Sequence, residues 1–299
     1  MSTPLVTVGI PFYNNEKTLL NAIRSIFSQT FEDWELILVD DGSTDGSLEI
    51  ARSVDDRRVR LLPRDGRNLR LSARLNQINT AARGEFIARM DADDMSHPQR
   101  FARQLEFLDT HKNVNVVGTS MYILNRQIQP TRKITVPERH EVIVQNKFKS
   151  VLIAHASVMA KAEWFRRWPY NEKCPITQDQ ELWIRSTSQS ILANISEPLY
   201  LCNEFAATSL SKYLRGTHII TKNIMRYGPS EIGYLRSLYY AGIRYAKAAA
   251  YMASTSLGLR KLLVQSRYSN LSQDDRDKAK SAIETVMKTE VPLRRISRR

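Results

Sequence analysis

Hydrophobic positions in the first hundred residues form two kinds of pattern, which alternate along the chain. Continuous apolar runs have the length and composition of buried strands, and they lie at 5–10, 35–39, 59–62 and 85–88. Between them, apolar residues recur every three or four positions, as in amphipathic helices, at 19–27, 48–51 and 75–82. Strands that alternate with helices pair in parallel through right-handed crossovers. The pattern therefore predicts an α/β fold with a doubly wound, mostly parallel sheet.

Polar residues follow three of these predicted strands. The first run leads into Pro11-Phe12-Tyr13-Asn14, the second into Asp40-Asp41-Gly42-Ser43, and the fourth into Asp91-Ala92-Asp93-Asp94. The carboxyl ends of parallel strands meet at one edge of the sheet, where ligands bind. We therefore expect these three segments to lie close together and to form a nucleotide site.

The acidic segment is a candidate cation site. Asp91 and Asp93 stand at alternate positions, so they project in the same direction from an extended backbone, and Asp94 follows directly. Hard carboxylate oxygens suit Mg²⁺ or Mn²⁺ rather than zinc. Isolated acidic pairs of this kind also mark solvated turns and helix N-caps, and the same ordinary interpretation applies to Asp41-Gly42-Ser43.

Taken in order, the three segments resemble family 2 glycosyltransferases of the GT-A fold. The resemblance continues through Ala22–Ile26, Gln29-Thr30 and Gln178–Arg185, and it covers about the first two thirds of the chain. It implies inverting transfer of a sugar from a nucleoside diphosphate sugar, with a UDP-sugar favoured as donor and Mn²⁺ or Mg²⁺ as cofactor. The donor site that it implies consists of Pro11, Tyr13, Glu16, Asp41, Arg70, Asp91, Ala92 and Asp93, with Asp93, Asp91 and Asp94 at the metal.

The resemblance also implies a role for several of these side chains. Tyr13 would lie against the base, since an aromatic face stacks on a nucleobase. Asp41 would accept a hydrogen bond from the base edge, and the Asp91-Ala92-Asp93 segment would bind the ribose and, through the metal, the diphosphate. Arg70 departs from the family pattern, which has a glycine there; Arg67, Arg70 or Arg74 would contact phosphates or form a solvated, basic helix start.

The segment Gln178–Arg185 resembles the family motif that carries the catalytic base. Asp179 matches the aspartate taken as the base, which removes a proton from the acceptor hydroxyl as it attacks the anomeric carbon. Glu181 is the alternative, because the two carboxylates cannot face one direction at the start of a helix. Simple helix capping by Asp179 is the ordinary interpretation. His155 matches a family histidine on the acceptor side, although a lone histidine among apolar residues is more often a core side chain.

Composition places the chain among globular proteins. It has 299 residues, of which 42% are hydrophobic and 25% charged, and only two cysteines, Cys174 and Cys202. This cysteine content fits a reducing compartment. The pattern of residues 1–4 does not predict a leader sequence, and no apolar run has the length of a membrane span. We therefore expect a cytoplasmic protein.

The net charge of +13 is concentrated in the C-terminal third. Residues 212–299 contain 18 Lys and Arg against 6 Asp and Glu, whereas residues 1–211 contain 26 against 25. We therefore predict a catalytic domain over 1–211 and a basic, mostly helical region over 212–299. An apolar stripe from Leu235 to Leu257, with Arg236, Arg244 and Lys247 beside it, predicts a long amphipathic helix, and 257–264 and 273–288 predict two more.

Two interpretations of the basic region stay open. It binds an anionic membrane surface, where lipid-linked acceptors reside, or its helices pack on the catalytic domain or on a second subunit. No nucleic-acid-binding motif is present, so nucleic acid is not an expected partner.

The function that the resemblance implies is glycosyl transfer to a saccharide or lipid-linked acceptor in bacterial surface polysaccharide assembly. A sugar nucleotidyltransferase is a second enzyme class, but it would need a glycine-rich phosphate loop after the first strand, where Pro11–Asn15 stands. A catalytically silent binding or scaffold protein at the membrane is a third possibility, which the unusual Arg67–Arg70 loop and Gln178 permit.

Overall fold

Four parallel strands form the first half of the sheet. The computed structural model describes residues 3–149, 153–174, 176–203, 210–256 and 269–294. The parallel strands are β1 (Val6–Phe12), β2 (Trp34–Asp40), β3 (Val59–Leu61) and β4 (Phe86–Arg89), in the order β3-β2-β1-β4. Every residue of β1 and β2 is buried, as continuous apolar runs in a covered parallel sheet require.

Three helices connect these strands. They are α1 (Leu19–Phe27), α2 (Ser47–Ser53) and α3 (Arg70–Ala81). Helix α3 lies so close to β1 that a Cβ atom on Gly9 would come within 2.4 Å of the Ile78 Cγ2 atom. Because β1 lies between β2 and β4, the loops at the carboxyl ends of these strands are neighbours.

The second half of the sheet is mixed. Its strands are β5 (Met95–Ser96), β6 (Val116–Leu124), β7 (Pro130–Ile134), β8 (Met159–Lys161), β9 (Leu192–Asn203) and β10 (Ser269–Asn270). Strand β8 joins β4 to β6 through antiparallel pairs, and β9 pairs in parallel with β6. The predicted α/β fold of the GT-A type is confirmed, with parallel pairing concentrated in β1 to β4 and in the β6–β9 pair.

The remaining helices cover this sheet and extend it. They are α4 (Arg100–Thr110), α5 (His140–Asn146), α6 (Ala162–Arg167), α7 (Gln178–Ser186), α8 (Leu210–Ile232), α9 (Tyr234–Ser256) and α10 (Gln273–Lys288). The predicted helical segment 257–264 lies outside the described residues. Within the described residues, no helix is both long and apolar enough to cross a bilayer.

Helices α8 and α9 form an antiparallel hairpin. Gly233 joins them with a φ of 82°, a left-handed conformation that glycine adopts without strain. The rings of Tyr213 and Tyr251 lie 4.3 Å apart across the hairpin. Helix α8 is held against the preceding part of the chain because Ile224 packs against Phe148 and Ile184.

The segment 269–294 packs directly on the sheet. The apolar face of α10, which includes Ala279 and Val286, is buried against Tyr122 and Leu124 of β6. Asp275 at the start of α10 accepts hydrogen bonds from the Tyr122 hydroxyl at 3.1 Å and from Lys133 at 2.9 Å. This C-terminal helix is therefore part of the same core as the strands.

Candidate active site

Three carboxylates converge in the loop that follows β4. Oxygen atoms of Asp91, Asp93 and Asp94 all lie within 4.8 Å of one another. The chain turns tightly here, since the Asp94 N–H donates to the Asp91 carbonyl. Asp93 is exposed, whereas Asp94 is buried. Such a cluster of hard oxygen donors fits a divalent cation such as Mg²⁺ or Mn²⁺.

Arg89 fixes the first of these carboxylates. It is a buried residue of β4, and its guanidinium donates to the two Asp91 oxygens at 2.8 and 2.5 Å. Although burial disfavours the charged guanidinium, the Asp91 carboxylate raises the pKa of Arg89 above its ordinary value. A bidentate pair of this kind sets the orientation of a carboxylate as well as its charge.

Strand β9 holds the other side of the acidic loop. The Asn203 N–H donates to the Asp94 carboxylate at 2.8 Å, and its side-chain amide donates to the Asp93 carbonyl. The Tyr200 hydroxyl accepts from the Asp91 N–H at 3.2 Å. Burial, followed by the charges of Asp91 and Asp93, raises the pKa of Asp94 well above its ordinary range. A bound cation would reverse this shift, because its own charge would dominate the site.

The loop after β2 meets the loop before α3. The buried carboxylate of Asp41 accepts hydrogen bonds from the Leu69 N–H at 2.7 Å and the Arg70 N–H at 3.0 Å. It also pairs with the Arg74 Nε at 2.9 Å. Arg74 itself is buried and also binds Asp65 at 2.7 Å. Asp41 and Arg74 therefore tie this loop to the sheet.

Arg70 adopts a backbone conformation that favours glycine. Its φ is 71°, in the left-handed region that side chains other than glycine rarely occupy. The two hydrogen bonds from its N–H to Asp41 hold this conformation. Its side chain is exposed, as is that of Arg67, so the loop presents two cations to solvent beside the predicted base site.

The other predicted donor residues lie around the ends of β1 and β4. Tyr13 follows β1 with 47% of its surface exposed, which leaves its ring available for stacking. Pro11 and Ala92 are buried, and the Glu16 carboxylate accepts from the Gly46 N–H at 3.3 Å. The structure thus brings the predicted residues of all three loops to one edge of the sheet.

A cavity of about 460 Å³ opens beside the acidic loop. Asp93, Asp94 and Asn203 line one side of it, and Lys17 and Arg126 line it as well. Carboxylates and cations therefore face the same space, as binding of a metal and an anionic group together would require.

Asp179 and Glu181 occupy different environments in the first turn of α7. The Glu181 side chain is buried, and its Oε1 accepts from the Arg185 Nε at 3.0 Å and the Tyr227 hydroxyl at 2.8 Å. Asp179 is half-buried. Burial raises its pKa above the ordinary value, and the charges of Arg89 and Asp91 also act on it, in opposite directions. Asp179 thus lies within electrostatic range of the acidic loop.

His155 lies in a cluster of aromatic side chains. Its Nε2 atom is 2.8 Å from the Tyr170 hydroxyl, and its ring packs edge-on against Trp183. Burial, together with the nearby charge of Arg89, lowers the pKa of His155 well below its ordinary value. The imidazole is therefore neutral at physiological pH and serves as a hydrogen-bonding group.

Sequence reasoning missed three residues that shape this site, namely Arg89, Tyr200 and Asn203. Arg89 stands two positions before Asp91, so the alternation of an extended backbone contained a signal for their contact. Tyr200 and Asn203 reach the acidic loop from β9, more than a hundred residues further along the chain. No local pattern indicates that contact.

Comparison with known proteins agrees with this geometry. The model of glycosyl transferase family 2 matches residues 7–168. The chain belongs to glycosyltransferase family 2. A relative from Bacillus subtilis (strain 168), "Putative glycosyltransferase EpsE", is 35% identical over 212 residues, which cover 68% of this chain and 74% of that protein. An uncharacterized glycosyltransferase of Methanocaldococcus jannaschii is 30% identical over 67% of this chain and 71% of its own length.

Solved structures show the same fold for this family 2 glycosyltransferase. The structure of S. aureus TarS in complex with UDP matches 95% of this chain and 92% of that chain, with a TM-score of 0.62 and 17% identity. The mannosyltransferase PcManGT from Pyrobaculum calidifontis, in complex with GDP-Man and Mn²⁺, matches 96% of this chain and 86% of its own, with a TM-score of 0.56 and 17% identity. The GT-A architecture predicted from the sequence is thus shared with both.

Proposed function

We propose that this glycosyltransferase is a metal-dependent, inverting enzyme that transfers a sugar from a nucleoside diphosphate sugar, with UDP as the favoured nucleotide. The observation that supports the proposal is the cluster of Asp91, Asp93 and Asp94 at the end of β4, together with Asp179 at the start of α7, whose pKa the charge of Asp91 helps to raise. The three clustered carboxylates suit a metal ion that binds the diphosphate. The separate carboxylate of Asp179 suits a catalytic base.

The residues around the acidic loop would contact different parts of the donor. Tyr13 offers an exposed ring for the base, and Arg70 offers a cation beside it. Asp91, held by Arg89, would bind the ribose, and Asp93 is the most open of the three carboxylates. Asp41, whose carboxylate already accepts from the Leu69 and Arg70 N–H groups, would accept a further hydrogen bond from the base edge. Pro11, Glu16 and Ala92 would complete the donor site.

Asp91, Asp93 and Asp94 would hold Mn²⁺ or Mg²⁺. Their oxygens are close enough for one ion, and Asp91 and Asp94 are already oriented by Arg89 and Asn203. When bound, the ion offsets negative charge on the diphosphate leaving group. The protein's own contribution is to hold these oxygens in place before the donor arrives.

Asp179 is the proposed catalytic base. Its carboxylate accepts the proton of the acceptor hydroxyl, while Glu181 is occupied by Arg185 and Tyr227. Its raised pKa strengthens it as a proton acceptor, provided the pH keeps it ionised. Neutral His155, whose Nε2 atom lies 2.8 Å from the Tyr170 hydroxyl, is the proposed acceptor-side histidine.

The proposal also names the nucleobase of the donor and the class of acceptor. The UDP complex of TarS supports uridine, and the GDP-Man complex of PcManGT makes guanosine the alternative for the test to resolve. The acceptor that we propose is a saccharide or lipid-linked saccharide of surface polysaccharide assembly, handled in the cytoplasm at the inner face of the membrane. The basic charge of residues 212–299 supports a location at an anionic surface.

The test is a screen of purified protein for hydrolysis of UDP-, GDP-, dTDP- and CMP-sugars, with Mn²⁺ and with a chelator. We expect turnover of one donor in the presence of metal, with inverted configuration of the released sugar. Asp93→Ala should abolish it, whereas Met287→Ala, an exposed substitution on α10, should leave it unchanged. Turnover of no donor under any metal condition would contradict the proposal.

A further inference from the structure

Helix α9 presents its apolar face outward. The buried positions of this helix are small or polar, namely Ser237, Ala241, Ala248 and Ser254. The apolar stripe predicted from the sequence lies on the opposite side, and most of its members are exposed: Leu235, Leu238, Tyr239, Gly242, Ala246, Ala249, Ala250 and Ala253. An ordinary surface helix has the reverse arrangement. We therefore expect this apolar face to contact another surface.

The exposed face is large and rich in aromatic residues. Leu235 is 81% exposed, Tyr239 65% and Tyr234 61%, and Leu238 and Tyr245 are each exposed by more than two fifths. From Leu235 to Ala253 the stripe extends about 27 Å along the helix. Leucine buries well in an acyl region, and tyrosine prefers the boundary between apolar and aqueous phases.

Positive charge accompanies this face. Arg236 and Lys247 are exposed and lie along one edge of the stripe, since they follow Leu235 and Ala246 on the helix. Arg244, by contrast, is used for packing, because its guanidinium donates to the Lys149 carbonyl at 2.8 Å. From residue 232 to residue 273 the sequence contains six Lys and Arg and no Asp or Glu.

We infer that the exposed face of α9 binds an anionic lipid bilayer. Apolar side chains would enter the interfacial region, and Arg236 and Lys247 would pair with lipid phosphates beside them. A second copy of the chain is the less favourable occupant. If α9 met its symmetry mate, the basic residues would find no carboxylate on that helix. The inference rests on the proposed function only in that a lipid-linked acceptor would be found at such a surface.

The test measures cosedimentation of the full-length protein with phosphatidylcholine vesicles, with and without phosphatidylglycerol. The double variant Leu235→Glu/Tyr239→Glu replaces two exposed side chains, so the fold should persist. Wild type should partition to the anionic vesicles at least about tenfold more strongly than to neutral ones. The double variant should lose at least about tenfold in partitioning, through lost apolar area and added negative charge.

Met287→Glu/Leu293→Glu is the matched control. Both residues are exposed, by 42% and 48%, and lie outside α9. This variant carries the same change of charge and should sediment like wild type. Absence of vesicle binding by wild type, or an equal loss in the control, would overturn the inference. So would a dimer that Leu235→Glu/Tyr239→Glu converts to a monomer while vesicle binding is unchanged.

Titration of UDP into the same samples separates this inference from the proposed function. We expect UDP to bind wild type and both double variants equally, since none of the four positions belongs to the donor site. Vesicle binding that fails while UDP binding persists overturns the α9 inference alone. If wild type does not bind UDP, the donor assignment is contradicted instead.

Discussion

At the scale of single residues, the contrast between Asp179 and Glu181 shows what the structure adds to the sequence. Both carboxylates stand in the first turn of α7, and spacing alone does not distinguish a base from a capping or pairing residue. In the structure, Glu181 is buried and bound by Arg185 and Tyr227, whereas Asp179 has no such ion pair among the described residues. These contacts support Asp179 rather than Glu181 as the proposed base.

The first prediction separates chemistry from stability at these two positions. Asp179→Asn keeps the shape but removes the proton acceptor, so kcat should fall about 10²–10⁴-fold while donor affinity changes little. Glu181→Gln should instead lower the free energy of unfolding by about 1–2 kcal/mol, because its charged hydrogen bonds are lost. Steady-state kinetics and thermal unfolding measure both. Equal effects of the two variants on kcat would count against Asp179.

The environment of Asp179 also predicts how kcat depends on pH. Because burial raises the pKa of Asp179, its carboxylate becomes protonated at a higher pH than an ordinary aspartate would. The base form is present above this raised pKa and is lost as the pH falls through it. In wild type, kcat should therefore fall on the acidic side at a pH above about 4, and residual turnover by Asp179→Asn should lack this step.

Arg70 supports a third prediction. Glycine at its φ of 71° would relieve backbone strain of about 1 kcal/mol, while the N–H groups that bind Asp41 stay in place. Arg70→Gly should therefore raise the free energy of unfolding by up to about 1 kcal/mol and weaken donor binding, if the side chain contacts the donor. Arg67→Ala, in the same loop but with an ordinary backbone, is the control for charge. Lower stability in Arg70→Gly would contradict the strain argument.

At the scale of elements, periodicity predicted the helices but not the direction in which they face. The stripe from Leu235 onward was recognisable in the sequence, yet nothing in its spacing indicated that Ser237 and Ala241 would be the buried positions instead. Small residues allow two helices to pack closely. A helix can therefore bury a face of small residues against its neighbour and leave its larger apolar residues exposed. The inverted orientation of α9 could be found only in three dimensions.

Helix α10 yields a prediction of its own. Val286 is fully buried against the strands, whereas the neighbouring Met287 is 42% exposed. Val286→Ala should lower the free energy of unfolding by about 1–3 kcal/mol, and Met287→Ala should change it by less than about 0.5 kcal/mol. Chemical denaturation measures both. Equal, small effects would mean that α10 is a loosely attached tail rather than part of the catalytic core.

At the scale of the whole molecule, strand order explains why so much of the site was predictable. Strands that alternate with helices place β1 between β2 and β4, so the segments that contain Tyr13, Asp41 and Asp91 had to meet. The contribution of β9 was not predictable, since Tyr200 and Asn203 reach the acidic loop through pairing of β9 with β5 and β6. Long-range pairing of this kind leaves no local sequence signal.

The central claim is that Asp91, Asp93 and Asp94 bind a nucleoside diphosphate together with a divalent ion. Calorimetric titration of UDP into wild type and Asp93→Asn, with Mn²⁺ and with a chelator, tests it most directly. Wild type should bind UDP at least about tenfold more tightly with Mn²⁺ than without, and Asp93→Asn should lose this difference. If wild type binds UDP equally well in chelator, or Asp93→Asn keeps the full effect of Mn²⁺, the account of this site is wrong.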